Sequence, residues 1–231
     1  MEIVLQAALI GILQGLTEFI PVSSSAHLEL APWIAGWPTN GLLGSLSFDV
    51  FLHLGTLVAL LGYFGADWLR LLGAALASIR ERRIGDEPDR RLAWLLIIAT
   101  IPASLIGFLG EGWIDEVLHA DTDGTRLAIA GFVVAGAAAL WIADRLGSRR
   151  REIDGLNAPS ALAIGLSQAL ALLPGISRSG ATISTGLALG LTRESAARWG
   201  VAQSPSLDAL TGPTPEMPGA MAQSGAWNMP R

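Results

Sequence analysis

Gln14-Gly15-Leu16-Thr17-Glu18-Phe19-Ile20-Pro21-Val22-Ser23-Ser24-Ser25-Ala26-His27 sets a carboxylate, a proline, three hydroxyls and an imidazole at the end of an apolar run that begins at Ile3. Hydrocarbon does not tolerate such groups unpaired, and a proline frees backbone groups that must be satisfied inside protein or in a water-filled cavity. The run therefore reads as a membrane helix that breaks, in the manner of a re-entrant turn. Gln14 and Glu18 are four apart and share one helical face. The plainer alternative has the serines cap a helix beginning near Ala26 while Glu18 reaches to the membrane interface.

Working outward, the 231 residues are 51% hydrophobic and 15% charged, with a mean hydropathy of +0.48. That composition belongs to a membrane protein. Spanning the hydrocarbon takes roughly 20 mostly apolar residues. Ile3–Ile20, Leu46–Gly65, Leu92–Leu109 and Arg126–Ala143 reach or approach that length, and Pro159–Leu173 is shorter. The first of these lacks a basic n-region and a cleavage site, so it reads as a retained helix and not as a signal peptide. All 15 basic residues are Arg, set against 20 acidic ones for a net charge of −5, which argues against a nucleic-acid partner. With no cysteine, chemistry falls to hydroxyls, carboxylates, Arg and the 3 His.

Arginine clusters orient the helices, because basic loops are retained in the cytoplasm. Arg80, Arg82, Arg83, Arg90 and Arg91 form one cluster, and Arg145, Arg149, Arg150 and Arg151 another. The acidic stretch between them, with Glu111, Asp115, Glu116, Asp121 and Asp123, then lies outside. Ala66–Ile79 reads as a separate interfacial helix on the cytoplasmic surface. Residues 21–45 fall outside, and a crossing by 159–173 brings 174–182 to the same face.

That second stretch is Pro174-Gly175-Ile176-Ser177-Arg178-Ser179-Gly180-Ala181-Thr182. An Arg flanked by hydroxyls and free N–H groups suits a phosphate or diphosphate, although a solvated arginine beside a Pro-Gly turn is the bland reading. Neither a P-loop nor a nucleophile elbow fits its spacing. The two stretches also resemble one another: Ile10-Gly11-x-x-Gln14-x-Leu16 returns as Ile164-Gly165-x-x-Gln168-x-Leu170, each followed by a proline and then serines. An internal repeat with a broken helix in each half places a polar site where the breaks meet. A third element, Phe48-Asp49-Val50-Phe51-Leu52-His53-Leu54-Gly55-Thr56, sets Asp49 and His53 four apart, as a carboxylate–imidazole pair, as metal ligands, or as an ordinary interhelical hydrogen bond. His119 reads as solvated.

Residues 14–27, 48–56 and 174–182, in this order, closely resemble the signature segments of the undecaprenyl-diphosphate phosphatase family, the bacitracin-resistance proteins. The resemblance covers residues 1–198. It implies a multi-pass enzyme of the bacterial plasma membrane that hydrolyses undecaprenyl diphosphate to undecaprenyl phosphate and inorganic phosphate. That reaction recycles the peptidoglycan lipid carrier and confers bacitracin resistance. It further implies a divalent cation, Mg2+ or Ca2+, held through Glu18 and Gln14, and a catalytic set of Glu18, Ser24, His27 and Arg178. Diphosphate binding falls on Arg178, Ser177, Thr182 and Ser23, with Asp49 and His53 as secondary candidates. His27 is then a general base for Ser24 or for water, or itself the nucleophile. The motifs face the extracytoplasmic side, the partners are the polyprenyl lipid and the bilayer, and a homo-oligomer remains open.

Gln14 stands where many relatives carry Glu, and Ala26 where they carry glycine. After Arg198 the resemblance stops: Pro205, Pro213, Pro215, Pro218 and Pro230 with Gly, Ser and Gln leave no stretch able to cross a membrane. The expectation is an all-α polytopic bundle over 1–198 with two repeat-related broken or re-entrant helices, followed by a disordered tail over 199–231 produced by frameshift or truncation. Two other readings stand beside the phosphatase: a polyprenyl-phosphate transporter or flippase, and an inactive family member.

Overall fold

The computed structural model describes residues 2–38, 41–118, 123–173 and 175–202. These form α1 (Glu2–Thr17), α2 (Ser24–Ile34), α3 (Leu46–Glu81), α4 (Pro88–Leu118), α5 (Asp123–Leu146), α6 (Ala158–Gln168), α7 (Arg178–Ala188) and α8 (Arg193–Ala202). Single 3-10 turns cover Ile153–Gly155 and Ala169–Leu172, and no strand occurs among the described residues. Three segments, Ser47–Glu81, Pro88–Leu109 and Gly124–Leu146, are long and apolar enough to cross a membrane.

The two broken elements are hairpins. In the second half, the backbone N–H groups of Arg150 and Arg151 donate to Gly190 O at 3.0 and 2.9 Å, and Thr192 N donates to Arg151 O at 2.9 Å. The chain entering α6 thus touches the chain leaving α7, so this element returns to the side it came from. The Asp144 carboxylate at the end of α5 takes a two-pronged hydrogen bond from Arg193 at 2.6 and 2.8 Å. Arg91 near the start of α4 donates to Leu156 O at 2.5 Å. The mouth of the α6–α7 hairpin therefore lies where α4 begins and α5 ends.

The α1–α2 hairpin opens at the opposite end. Ile10, Leu28 and Leu43 form a small core with Ala7, Trp37, Phe48 and Leu52, which ties the hairpin to the beginning of α3. The Arg126 guanidinium near the start of α5 stacks 5.9 Å from the Trp33 ring and lies 3.7 Å from the Glu29 carboxylate. Sixteen residues of α1 rise about 24 Å, short of the ~30 Å hydrocarbon core. Two hairpins thus enter from opposite ends and meet tip to tip, the arrangement that inverted repeats produce in membranes.

The larger core joins α3, α4, α6, α7 and α8 through Leu71, Leu96, Ala99, Ile164, Leu187 and Trp199. Gly165 is the closest approach: a Cβ there would sit 2.1 Å from Ala99 O. Trp199 is fully buried. Trp199→Ala should lower stability by about 3–5 kcal/mol, the usual loss for a buried tryptophan, read as a drop in thermal midpoint in detergent.

Several expectations change. The Ala66–Ile79 segment is not a separate interfacial helix but the last part of the 36-residue α3, capped by Ser45 at its start. Continuity wins because Trp68, Leu71, Ala75 and Ser78 are held against α4, with Trp94 Nε1 donating to Ser78 Oγ at 2.8 Å. Residues 159–173 do not cross. The first helix ends at Thr17, before Glu18, and α4 continues as helix through the acidic stretch to Leu118. The boundary at 198 falls inside α8, whose Trp199 belongs to the core. His119, Asp121, Pro174 and residues 203–231 lie outside the described residues.

Candidate active site

Where the tips meet, each hairpin presents the N-terminus of a helix. Ser23 caps α2 by accepting from Ala26 N at 3.4 Å, and Ser177 caps α7 by accepting from Gly180 N at 3.1 Å. Each cap also exchanges a hydrogen bond with the serine two residues on, Ser23 with Ser25 at 3.2 Å and Ser177 with Ser179 at 3.0 Å. These pairs share one register with Ile10/Ile164 and Gln14/Gln168: 164 − 10, 168 − 14, 177 − 23 and 179 − 25 are all 154. The repeat is therefore structural, and both halves spend their serines on the same cap. Ser23 has φ 64, a left-handed value strained for a non-glycine residue, which turns the chain sharply into α2.

Glu18 sits at the junction with its side chain 9% exposed. Its Oε1 accepts from Arg178 at 2.5 Å, across 160 residues of sequence. Its Oε2 accepts from Ser24 Oγ at 2.6 Å and from Gln14 Nε2 at 3.0 Å. A carboxylate only accepts, so the Gln14 amide turns its NH2 toward Glu18, leaving Oε1 buried with no hydrogen-bond partner among the described residues. Ser179 Oγ donates to Ile20 O at 3.4 Å and completes the link between the tips.

The histidines are oriented by their own helices. His27 Nδ1 lies 2.7 Å from Ser23 O, and His53 Nδ1 lies 2.8 Å from Asp49 O. A carbonyl oxygen only accepts, so each Nδ1 carries a proton and donates it to that carbonyl. His53 Nε2 faces Glu18 Oε2 at 3.9 Å, which brings α3 to the junction.

The structure gathers Gln14, Glu18, Ser24, His53 and Arg178. It separates other expected partners. Ser24 pairs with Glu18 and not with His27, because one turn of α2 aims Ser24 back toward the end of α1. His53 turns its Nδ1 to the Asp49 backbone carbonyl and its Nε2 toward Glu18. Thr182 is 1% exposed and gives its hydroxyl to the carbonyls of Arg178 and Ser179, so it steadies the first turn of α7 from behind. Ser23 and Ser177 act through their caps. Sequence reading passed over Ser25 and Ser179, whose signal was the constant offset between the repeats.

Among the described residues no three His, Asp or Glu side chains cluster as a ready metal cage. The oxygen donors present are the Glu18 carboxylate and the buried Gln14 Oε1, which has no hydrogen-bond partner among the described residues. That set suits a hard divalent cation which takes its remaining ligands from phosphate oxygens and water, as Mg2+ commonly does.

Opposed re-entrant hairpins with a carboxylate and a guanidinium joined at their tips define a polytopic membrane protein with a polar junction inside the bundle. The chain belongs to the bacitracin resistance protein BacA family, which it matches over residues 7–206. It is 45% identical over 194 residues to an undecaprenyl-diphosphatase of Alcanivorax borkumensis, covering 84% of this chain and 69% of that one. It is 43% identical over 196 residues to the undecaprenyl-diphosphatase of Moorella thermoacetica, covering 85% and 69%. It is 44% identical over 202 residues to that of Thermomicrobium roseum, covering 84% and 69%.

Proposed function

We propose that this protein hydrolyses undecaprenyl diphosphate to undecaprenyl phosphate and inorganic phosphate in the bacterial plasma membrane. The observation that carries the reading is the Glu18–Arg178 pair at 2.5 Å between two capped helix N-termini, in a family whose relatives bear that activity in their names. A diphosphate is the ligand such a junction favours: helix N-termini and a guanidinium all stabilise concentrated negative charge.

The diphosphate competes with Glu18 for Arg178. Once the guanidinium turns to phosphate oxygens, Glu18 loses its strongest partner. Glu18 and Gln14 Oε1 would be the residues to hold a Mg2+ or Ca2+ ion, which would neutralise the charge that builds up on phosphoryl transfer. Water attacks the terminal phosphorus, the bond from that phosphorus to the bridging oxygen breaks, and undecaprenyl phosphate leaves. Arg178 and the α2 and α7 N-termini hold the phosphoryl oxygens through this exchange. The proton of the attacking water is assigned to His27, which lies one turn after Ser24 on α2 with its Nδ1 held at 2.7 Å from Ser23 O, and Ser24 keeps Glu18 in place through its 2.6 Å hydrogen bond. Arginine clusters at the end where α3 and α5 finish support an extracytoplasmic opening for the site.

The test is inorganic phosphate release from undecaprenyl diphosphate by purified protein in detergent with Mg2+. Wild type should turn over, and His27→Ala should be slower by about 10²–10⁴-fold, the range for losing a general base. Folded wild-type protein that releases no phosphate would overturn the reading.

A further inference from the structure

The site takes up the diphosphate but leaves open where a long isoprenoid chain goes. Between α3 and α4 runs a cavity of about 650 Å³, lined by Leu61, Gly65, Trp68 and Leu72 on one side and by Leu96 and Ile101 on the other. That volume is within the ~300–1,000 Å³ of ligand pockets. None of its lining residues is charged. The hydroxyl of Thr100, which also lines it, is spent on Leu96 O at 2.8 Å.

The cavity continues a stripe that starts at the site. His53, Leu57, Leu61, Phe64 and Trp68 follow one another along α3 at steps of three and four, one face of a helix. Eight residues separate His53 from Leu61, a rise of about 12 Å, and the lining then runs about 21 Å further to Ala75. It leads away from the end of the bundle where α3 begins and through the membrane-spanning length of α3. The stripe offers a lipid whose headgroup sits beside His53 an apolar path for its tail in that direction.

We propose that this groove holds the polyprenyl tail of the substrate and that the open space at Gly65 sets how much chain it accepts. The proposal rests on the reading of the substrate as a polyprenyl diphosphate. A Cβ added at Gly65 meets no atom within 4 Å, so a larger side chain there fills the groove without disturbing the backbone. Gly131 on α5 also has nothing within 4 Å and lies outside the groove, which makes it the control.

Two measurements test this. The first compares phosphate release from a C55 and a C15 prenyl diphosphate by wild type, Gly65→Phe and Gly131→Phe. Gly65→Phe should raise the KM for the long chain by about tenfold, the scale on which apolar pockets discriminate, while the short-chain KM and both control values stay level. An equal effect on both chain lengths, or none, overturns the proposal. The second photolyses a polyprenyl phosphate bearing a diazirine near its chain end on the protein in detergent micelles. Label within 61–75 and 93–104 that unlabelled polyprenyl phosphate removes, and phosphatidylglycerol does not, supports the groove even if the wild type releases no phosphate. Label elsewhere, equal protection by phosphatidylglycerol, or label across two copies of the chain overturns it.

Discussion

Arg178→Ala is expected to lower phosphate release by at least ~10²–10³-fold, the loss that follows removal of one preorganised donor from a developing anion. The fold should survive the change. Arg178 is half exposed, and Glu18 keeps the Ser24 and Gln14 hydrogen bonds when the guanidinium is gone. Thermal midpoint should therefore move little while turnover collapses. Arg178→Lys should not restore activity, because an ammonium carries charge without the planar fork that holds two phosphate oxygens. Glu18→Gln combined with Arg178→Ala should lose far less than the sum of the two single losses, since each residue is the other's partner across the hairpin tips. Additive losses in that cycle would mean that the pair does not act as one unit.

The second large effect is structural and lies far from any charge. Gly165→Ala places a methyl group 2.1 Å from Ala99 O, a backbone atom of α4 with no side-chain freedom to yield. Close helix approach in membranes depends on small residues at such contacts. The substitution should lower stability by about 1–3 kcal/mol, and Gly165→Leu should prevent accumulation of folded protein. Gly11, its repeat counterpart, makes the contrast: a Cβ there meets only Leu52 Cδ2 at 3.6 Å, ordinary contact with a movable side chain. Gly11→Ala should be nearly neutral in the same thermal melt. Equal sensitivity at the two glycines would show that the α4–α6 contact is not the tight one.

Much of the architecture was legible in the residues. Glu18, Pro21 and the serines inside an apolar run forced a break, because hydrocarbon offers no partner for them. The arginine clusters marked which helix ends lie together, and the Ile-Gly-x-x-Gln repeat announced two equivalent halves. What the residues did not declare was direction. A stretch as short as 159–173 fits a crossing or a hairpin equally by composition, and only the backbone bonds that join Arg150 and Arg151 to Gly190 and Thr192, just past the end of α7, make it return. The expected break between Gly65 and Ala66 does not occur. Asp67 and Arg70 lie just beyond it, yet Arg70 pairs with Asp67 at 2.8 Å and the helix continues.

The candidate site divides along the same line. Sequence alone marked out Gln14, Glu18, Ser24, His27 and Arg178 as the candidates, since they stand out as polar groups inside or beside apolar runs. Tertiary structure decided the pairings. Glu18 and Arg178 are 160 positions apart and belong to halves that enter from opposite ends. Ser24 answers to Glu18, Thr182 turns into its own helix, and His53 arrives from a third element. Periodicity reports the face of a helix on which a residue sits, because that is set by bonds a few residues apart. Which face meets which is settled by packing between segments distant in the chain, at contacts such as Gly165 against Ala99.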